Sequence, residues 1–409
     1  MQLKTILNRV EHFKSFVYGK ARWVEGAPRP TLEIEIHPRK NGRPICSGCD
    51  QAGPGYDRLP ERRFEYVPLW GIAIYFVYAM RRVACSNCGV RAERVPWAEG
   101  KSSMTIRFKW FLARWAKRMC WRDVASAFHV GWDRVYEAVK YAVSWGLRHR
   151  DLEGIEAIGV DEVQWHRGHK YQTVVYQLDA GRKRLLWVGP DRTAKSLLCF
   201  FRMLGKPRSS ALQFVCSDMW QPYLKVIAKK AGQAVHVLDR FHVMQRMNQA
   251  INDVRAAEVK RLMRDGYEPI LKGSRWVLLK RPGNLTPQQA AKLKELLQYN
   301  LQAVRSHIMR EDFQRFWEYS SPTWAGKFLD QWCTRAMRSK IEPMKKVARM
   351  LRRKRQLLLN WFLAGGKISA GIVEGFNNKL KLITRRSYGF RTQEACKTAL
   401  NAPPRTGPG

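Results

Sequence analysis

The sequence predicts an α/β domain split by a long all-helical insertion and preceded by two small modules. Three observations predict this. Two apolar runs, each the length of a strand buried on both faces, end abruptly in carboxylates: Glu156-Ala157-Ile158-Gly159-Val160-Asp161-Glu162 and Leu212-Gln213-Phe214-Val215-Cys216-Ser217-Asp218. Between Phe241 and Lys367 strand character nearly vanishes. Ahead of residue 150 lie two Cys-x-x-Cys pairs, followed by short helical patterns around a glycine.

At 409 residues the chain has room for two or three domains with large cores. Its 74 Lys and Arg against 34 acids leave a net charge of +40, so a polyanion is the expected partner. Neither an apolar run of membrane-spanning length nor a signal-peptide pattern occurs, which directs the basic excess to nucleic acid in the cytoplasm or nucleoid.

Residues 1–98 form the first module. Cys46-Ser47-Gly48-Cys49 and Cys85-Ser86-Asn87-Cys88 are two knuckles of the kind that share one Zn²⁺ in a four-thiolate ribbon; a redox Cys-x-x-Cys is the rival reading and lacks a thioredoxin-like βαβ pattern here. Aromatic and aliphatic residues alternate from Arg63 to Arg82, as in a hairpin carrying the knuckles. Cys120, Cys199, Cys216, Cys333 and Cys396 stand apart and read as reduced core thiols.

Residues 99–150 read as a helix-turn-helix. Val124, Ala125 and Phe128 would face inward from its first helix, Gly131 would make the turn, and Trp132 to Val143 would be the recognition helix, with Arg134 as a DNA-reading side chain.

The α/β domain begins in residues 151–245. Strands over Ile155–Val163, His169–Asp179 and Lys183–Val188 are followed by a helix (Thr193–Leu204), a strand ending at Asp218, a helix to Lys230 and a strand to Asp239. Three hairpin-type strands, then helix, strand, helix, strand, is the element order of the ribonuclease H-like fold. Residues 246–366 are the insertion. Thr286-Pro287-Gln288-Gln289 supplies a capping box, and Leu293 to Ile308 extend that helix. From Arg335 to Arg355 ten basic residues face one acid, Glu342, so Arg352, Arg353 and Arg355 are assigned to DNA phosphates rather than to simple solubility.

Residues 367–402 return to the α/β domain with a third acid. On a helix, Glu374, Asn377, Asn378 and Lys381 fall on one face, suited to DNA or water, and Val373, Phe376, Leu380 and Ile383 on the other. Neighbouring parallel strands bring Asp161 and Asp218 to one sheet edge. Taken singly, each acid could be an ordinary cap or surface group. Together on a basic chain, three carboxylates are explained by divalent metal: oxygen ligation suits Mg²⁺ or Mn²⁺, and two such ions activate the attacking oxygen and stabilise the leaving oxygen of a phosphodiester. Asp239 also ends a strand, but Arg240 and His242 give it ready partners, so Asp239 and His242 take supporting roles.

The chain resembles the DDE transposases of bacterial insertion sequences, ISL-three type. The resemblance covers nearly its whole length and rests on the four cysteines, the helix-turn-helix, Gly159-Val160-Asp161-Glu162, Ser217-Asp218-Met219, Val237-Leu238-Asp239-Arg240-Phe241-His242-Val243 and Gly371-Ile372-Val373-Glu374-Gly375-Phe376-Asn377-Asn378-Lys379. It implies that Asp161, Asp218 and Glu374 are the catalytic triad. It further implies metal-dependent cleavage at transposon ends, joining of the freed 3′-hydroxyl to target double-stranded DNA, and action as a homo-oligomer on paired ends.

After Ser387-Tyr388-Gly389-Phe390-Arg391, where chains of this family continue through a helical segment, the sequence runs into a Pro/Gly tail, 403–409, that reads as disordered. A decayed copy of such an element gives the alternative reading, a catalytically inactive DNA-binding protein that occupies element ends. Another ribonuclease H-like nuclease, cutting without joining, is the third.

Overall fold

The computed structural model describes residues 3–166, 168–268, 270–365, 370–386 and 390–402, with side chains throughout except at 370–374 and 386. The expected tail at 403–409 lies outside the described residues, as does the side chain of Glu374. The chain divides into two compact units, Met1–Arg150 with Asn401–Gly409, and Asp151–Leu400.

In the first unit a helix, α1 (Leu3–Val10), leads into strands β1 (Phe16–Trp23), β2 (Thr31–Pro38), β3 (Gly55–Leu69), β4 (Ile72–Cys85) and β5 (Gly89–Ala92). They form one sheet in the order β1-β2-β4-β3, with β5 also paired to β4. The hairpin expected over 63–82 is β3–β4, closed by Trp70 and Gly71 at φ 51° and 81°, the left-handed conformations of a tight two-residue turn. Alternation buries Phe64, Tyr66, Ile74, Phe76 and Tyr78 on one face, where they pack with Phe16 around the fully buried Trp97. Strands β1 and β2 were not legible as strands, because charged residues interrupt their apolar alternation. Glu33 of β2 is nevertheless buried, held by Arg22 and Arg63.

Helices α2 (Ile106–Trp115), α3 (Trp121–Ala127) and α4 (Trp132–Arg148) complete this unit. Thr105 caps α2 by accepting from the Phe108 N–H. As expected, Val124 and Ala125 are buried, Phe128 packs beside them, and Gly131 sits ahead of α4. The second helix runs five residues beyond the expected Val143.

The second unit opens with an antiparallel meander, β6 (Ala157–His166), β7 (Lys170–Asp179) and β8 (Arg182–Val188). There follow α5 (Ala194–Leu204), a short α6 (Lys206–Ser210), β9 (Phe214–Ser217), α7 (Gln221–Lys230) and β10 (Val235–Leu238). The sheet order is β10-β9-β6-β7-β8, with β9 and β10 parallel to β6. Both faces are covered, which is why β6 and β9 read as continuous apolar runs. Ile158, Val160, Val175 and Val215 pack on one face with Leu197, Phe200, Tyr223 and Ile227 of α5 and α7. Ala157, Val163, Val174 and Tyr176 pack on the other with Leu380 and Cys396 of α15 (Ala370–Arg386) and α16 (Gln393–Asn401).

Between the two halves lies the helical insertion: α8 (Arg240–Arg264), α9 (Arg275–Leu279), α10 (Pro287–Leu296), α11 (Gln302–Gln314), α12 (Pro322–Arg338), α13 (Glu342–Arg353) and α14 (Arg355–Leu363). Its own core includes Leu296, Phe313, Phe316, Trp332 and Leu351, each at most 1% exposed. The capping box at Thr286 and Gln289 forms as expected. The helix that starts there does not continue to Ile308, however: it ends at Leu296 and a new one starts at Gln302. Glu258 of α8 makes this break, since its buried carboxylate accepts the first N–H groups of α11, from Gln302 at 2.9 Å and Ala303 at 2.8 Å. A buried carboxylate at a helix N-terminus satisfies donors that a continuous helix would not offer.

Candidate active site and metal centres

Strand register brings three acids to one edge of the second sheet. Val160 pairs with Ser217, and Ser217 with Leu238, so Asp161, Asp218 and Asp239 each follow the last matched residue of three neighbouring parallel strands. All three are buried, at 6%, 8% and 5% exposure. His242, one turn into α8, faces two of them, its Nε2 lying 3.8 Å from Asp161 Oδ1 and 3.7 Å from Asp239 Oδ2. Asp161, Asp239 and His242 thereby offer three donor atoms within 4.8 Å of one another. Asp239 also caps α8, accepting the Phe241 N–H at 2.7 Å.

Asp218 accepts the Trp220 N–H at 3.0 Å and lies 3.5 Å from Arg192. Arg192 is ion-paired with Glu162 as well and stacks on the Trp220 ring, 4.7 Å from its centroid. Burial pushes the Asp218 carboxyl above its usual range, reinforced by Asp161 and opposed by the Trp220 N–H, His242 and Arg192. Burial likewise lifts Glu162 to about 7 against the pull of Arg192. Burial alone would lower His242, but hydrogen bonding and attraction to Asp161, with the charges of Asp239 and Asp218, carry it up to about 9. Such displacements mark carboxylates that are buried first and grouped second, the setting in which a divalent cation would stabilise their ionised forms.

Helix α15 reaches this edge through Asn377. Its side-chain amide donates to Asp161 Oδ2 and its Oδ1 accepts from the Tyr176 hydroxyl at 2.7 Å. Asn377 is 7% exposed, so it does not face outward with Asn378 and Lys381, which are exposed. The inward stripe is Phe376, Asn377, Leu380 and Ile383, because the sheet offers polar atoms at the Asn377 position. Glu374 stands on the same helix, nearly one turn before Asn377.

Several contributors had no local sequence signal. Lys354, at the start of α14, donates to the Met219 carbonyl at 3.2 Å, beside Asp218. Asn360 donates to the His236 carbonyl at 2.8 Å, fastening α14 to β10. His236 itself shares a 2.7 Å hydrogen bond with the Ser217 hydroxyl, and burial pushes its imidazole down to about 4. Of the three arginines assigned to phosphates, Arg353 is exposed, Arg352 donates to Thr334 Oγ1 at 3.1 Å, and Arg355 binds Asp330 at 3.0 Å.

In the first unit the sulfurs of Cys46, Cys49, Cys85 and Cys88 lie within 4.8 Å of one another. Zinc–sulfur bonds of about 2.3 Å in a tetrahedron place sulfurs about 3.8 Å apart, so this cluster fits one Zn²⁺. The Asn87 N–H, the Cys49 sulfur and the Cys88 N–H pull the Cys85 thiol down to about 7, toward the thiolate that binds metal. Arg134 of α4 lies 3.3 Å from the buried carboxylate of Glu65, which Arg29 also holds, so this side chain is committed partly to its own unit.

Comparison with known proteins places these features in context. The ISL3 DDE family model, described as "Transposase", matches residues 158–400. The chain is 32% identical over 384 residues to the transposase for insertion sequence element IS1001 of Bordetella parapertussis, covering 92% of this chain and 93% of that protein. It is 28% identical over 387 residues to the transposase for insertion sequence element IS1557 of Mycobacterium tuberculosis, covering 88% and 85%.

Proposed function

Since the chain belongs to the ISL3 family of insertion-sequence transposases, we propose that it binds the ends of its own element and cuts and joins double-stranded DNA with divalent metal held by Asp161, Asp218 and Glu374. The observation that carries this reading is the shared edge: two of the acids end adjacent parallel strands, and the helix bearing the third sends Asn377 to Asp161. A meander followed by two parallel strands, covered by helices on both faces, supports a ribonuclease H-like domain.

When bound, Mg²⁺ or Mn²⁺, two ions in this reading, supplies activation of the attacking oxygen and stabilisation of the leaving one. The protein's own groups prepare that site. Asn377 and the Glu162 N–H fix the two oxygens of Asp161, and the Trp220 N–H fixes Asp218, so neither acid must reorganise to engage a ligand. His242 and Arg192 offset the repulsion among the carboxylates. Asp239 supports the site by capping α8 and facing His242.

The four cysteines hold one structural Zn²⁺, and the helix-turn-helix reads element ends through α4, Arg134 included. Arg352, Arg353, Arg355, Asn378 and Lys381 contribute DNA contacts, and the protein acts as a homo-oligomer at the nucleoid. Among the described residues no helix is long and apolar enough to cross a membrane. The test is nicking and strand joining in Mn²⁺ on DNA carrying the inverted repeats that flank the gene. Cleavage with joining is the expected result; binding without cleavage establishes the inactive end-binding alternative, and cleavage without joining an ordinary nuclease.

A further inference from the structure

A groove of about 1120 Å³ runs between α5–α6 and α7 of the second unit. Its floor is apolar, with Leu198, Phe201, Pro222 and Val226, and its walls are cationic: Arg202 and Lys206 on one side, Lys225, Lys229 and Lys230 on the other. No Asp or Glu lines it. All five cations are exposed, and among the described residues none of them is ion-paired. Of the two neighbouring arginines, Arg192 is bound to Glu162 and Arg208 to Glu153. A fully solvated surface has no need to gather five unpaired cations around an apolar trough.

The groove begins at the acid-bearing edge. Val188, the last residue of β8, pairs with Val174, which pairs with Asp161, so the loop leading to α5 starts level with that acid. Helix α7 starts three residues after Asp218. Both walls therefore run outward from the acids, and at 1.5 Å per residue each is about 15 Å long. The cations stand on the outer stretch of each wall, from Arg202 to Lys206 and from Lys225 to Lys230, and over that stretch of about 8 Å the two strands of B-DNA together present about five phosphates, a density that five cations in two rows match. An acidic peptide carries the same sign of charge, but nothing ties its course to the acid edge, whereas DNA held at those acids must leave across the domain surface.

We infer that the groove between α5–α6 and α7 is a DNA-backbone track that receives the duplex leaving the acid-bearing edge, an assignment that rests on the reading of this chain as a DNA-acting enzyme. Its contacts are to phosphates and are independent of sequence.

The test uses the full chain and a random-sequence duplex, so it does not depend on knowing the element ends. The salt dependence of binding is measured for the wild type and for Arg202→Glu/Lys225→Glu/Lys229→Glu, and a benzophenone amino acid is placed at position 229 for photo-cross-linking. The expected results are a slope reduced by about 2 to 3 units, at about 0.9 per phosphate lost, unchanged thermal stability because the three side chains are exposed, and a cross-link to DNA from position 229. A Lys225→Arg/Lys229→Arg variant should keep the wild-type slope. An unchanged slope in the charge-reversed variant, or a cross-link to added poly-glutamate in preference to DNA, overturns the assignment. Wild-type cleavage of end-bearing DNA is scored separately: if it is absent while slope and cross-link behave as expected, the catalytic reading fails and the track stands.

Discussion

Asn377 donates its side-chain amide to Asp161 across 216 positions of sequence, while the buried Tyr176 hydroxyl donates to its other end. This contact ties α15 to the first acid of the sheet edge, so the carboxylate's orientation depends in part on a residue far from it in sequence.

Replacing Asn377 with Ala should therefore loosen Asp161 and strand the Tyr176 hydroxyl. Leaving a buried hydroxyl without its acceptor costs about 1 to 3 kcal/mol, and the Mn²⁺ concentration for half-maximal cleavage should rise several-fold. A metal titration of cleavage alongside thermal melting checks both; an Asn377→Ala protein with wild-type metal dependence would show that Asp161 is oriented by other groups.

The strands and acids of the second unit were legible because a sheet covered on both faces demands unbroken apolar runs, and a carboxylate closing such a run is conspicuous. Thr286 likewise announced a helix start and caps as expected, while Thr193, expected as the first residue of its helix, is the cap ahead of it. What was not legible depended on partners distant in sequence. The break between α10 and α11 is imposed by Glu258. The burial of Asn377 follows from polar atoms that the sheet places beneath it, and no periodicity within the helix carries that information. Lys354 read only as part of a basic helical stretch and Asn360 lay beyond it without a signal of its own, yet they fasten α14 to the loop after Asp218 and to β10.

The cysteine cluster should bind about one zinc per chain. A structural thiolate site contributes folding free energy directly, so chelation should unfold the first unit while 151–400 keeps its own melting transition. Metal analysis of reduced, freshly purified protein and two-transition melting with and without chelator measure this. Protein free of zinc, or a single melting transition untouched by chelator, contradicts it.

His236 makes the second unit acid-sensitive. Its folded value, about 4, lies below the ordinary 6.5, so the fold holds the neutral imidazole. Below pH 6.5 the unfolded chain gains a proton that the fold does not, so stability is full above 6.5 and declines as the pH falls toward 4. Between pH 7 and 5 this amounts to about 2 kcal/mol. Denaturant unfolding of wild type and His236→Gln at the two pH values isolates the effect, since the acids titrate in both proteins. Equal pH dependence would mean that His236 is protonated within the fold.

The central claim is that Glu374, 156 positions beyond Asp218, completes the metal site and that Asp239 supports it. Asp239 lies at the same edge as Asp161 and Asp218, but it is already engaged as the cap of α8 and with His242. The most direct test compares Glu374→Gln with Asp239→Asn for cleavage of end-bearing DNA in Mn²⁺, with folding followed by thermal melting. Glu374→Gln should bind DNA and melt like the wild type yet cut nothing, whereas Asp239→Asn, whose amide oxygen can still cap α8, should lose stability with the charge that faces His242 as well as activity. A Glu374→Gln protein that still cuts, beside an Asp239→Asn protein that is folded and inert, would contradict the assignment and move the third metal ligand to Asp239.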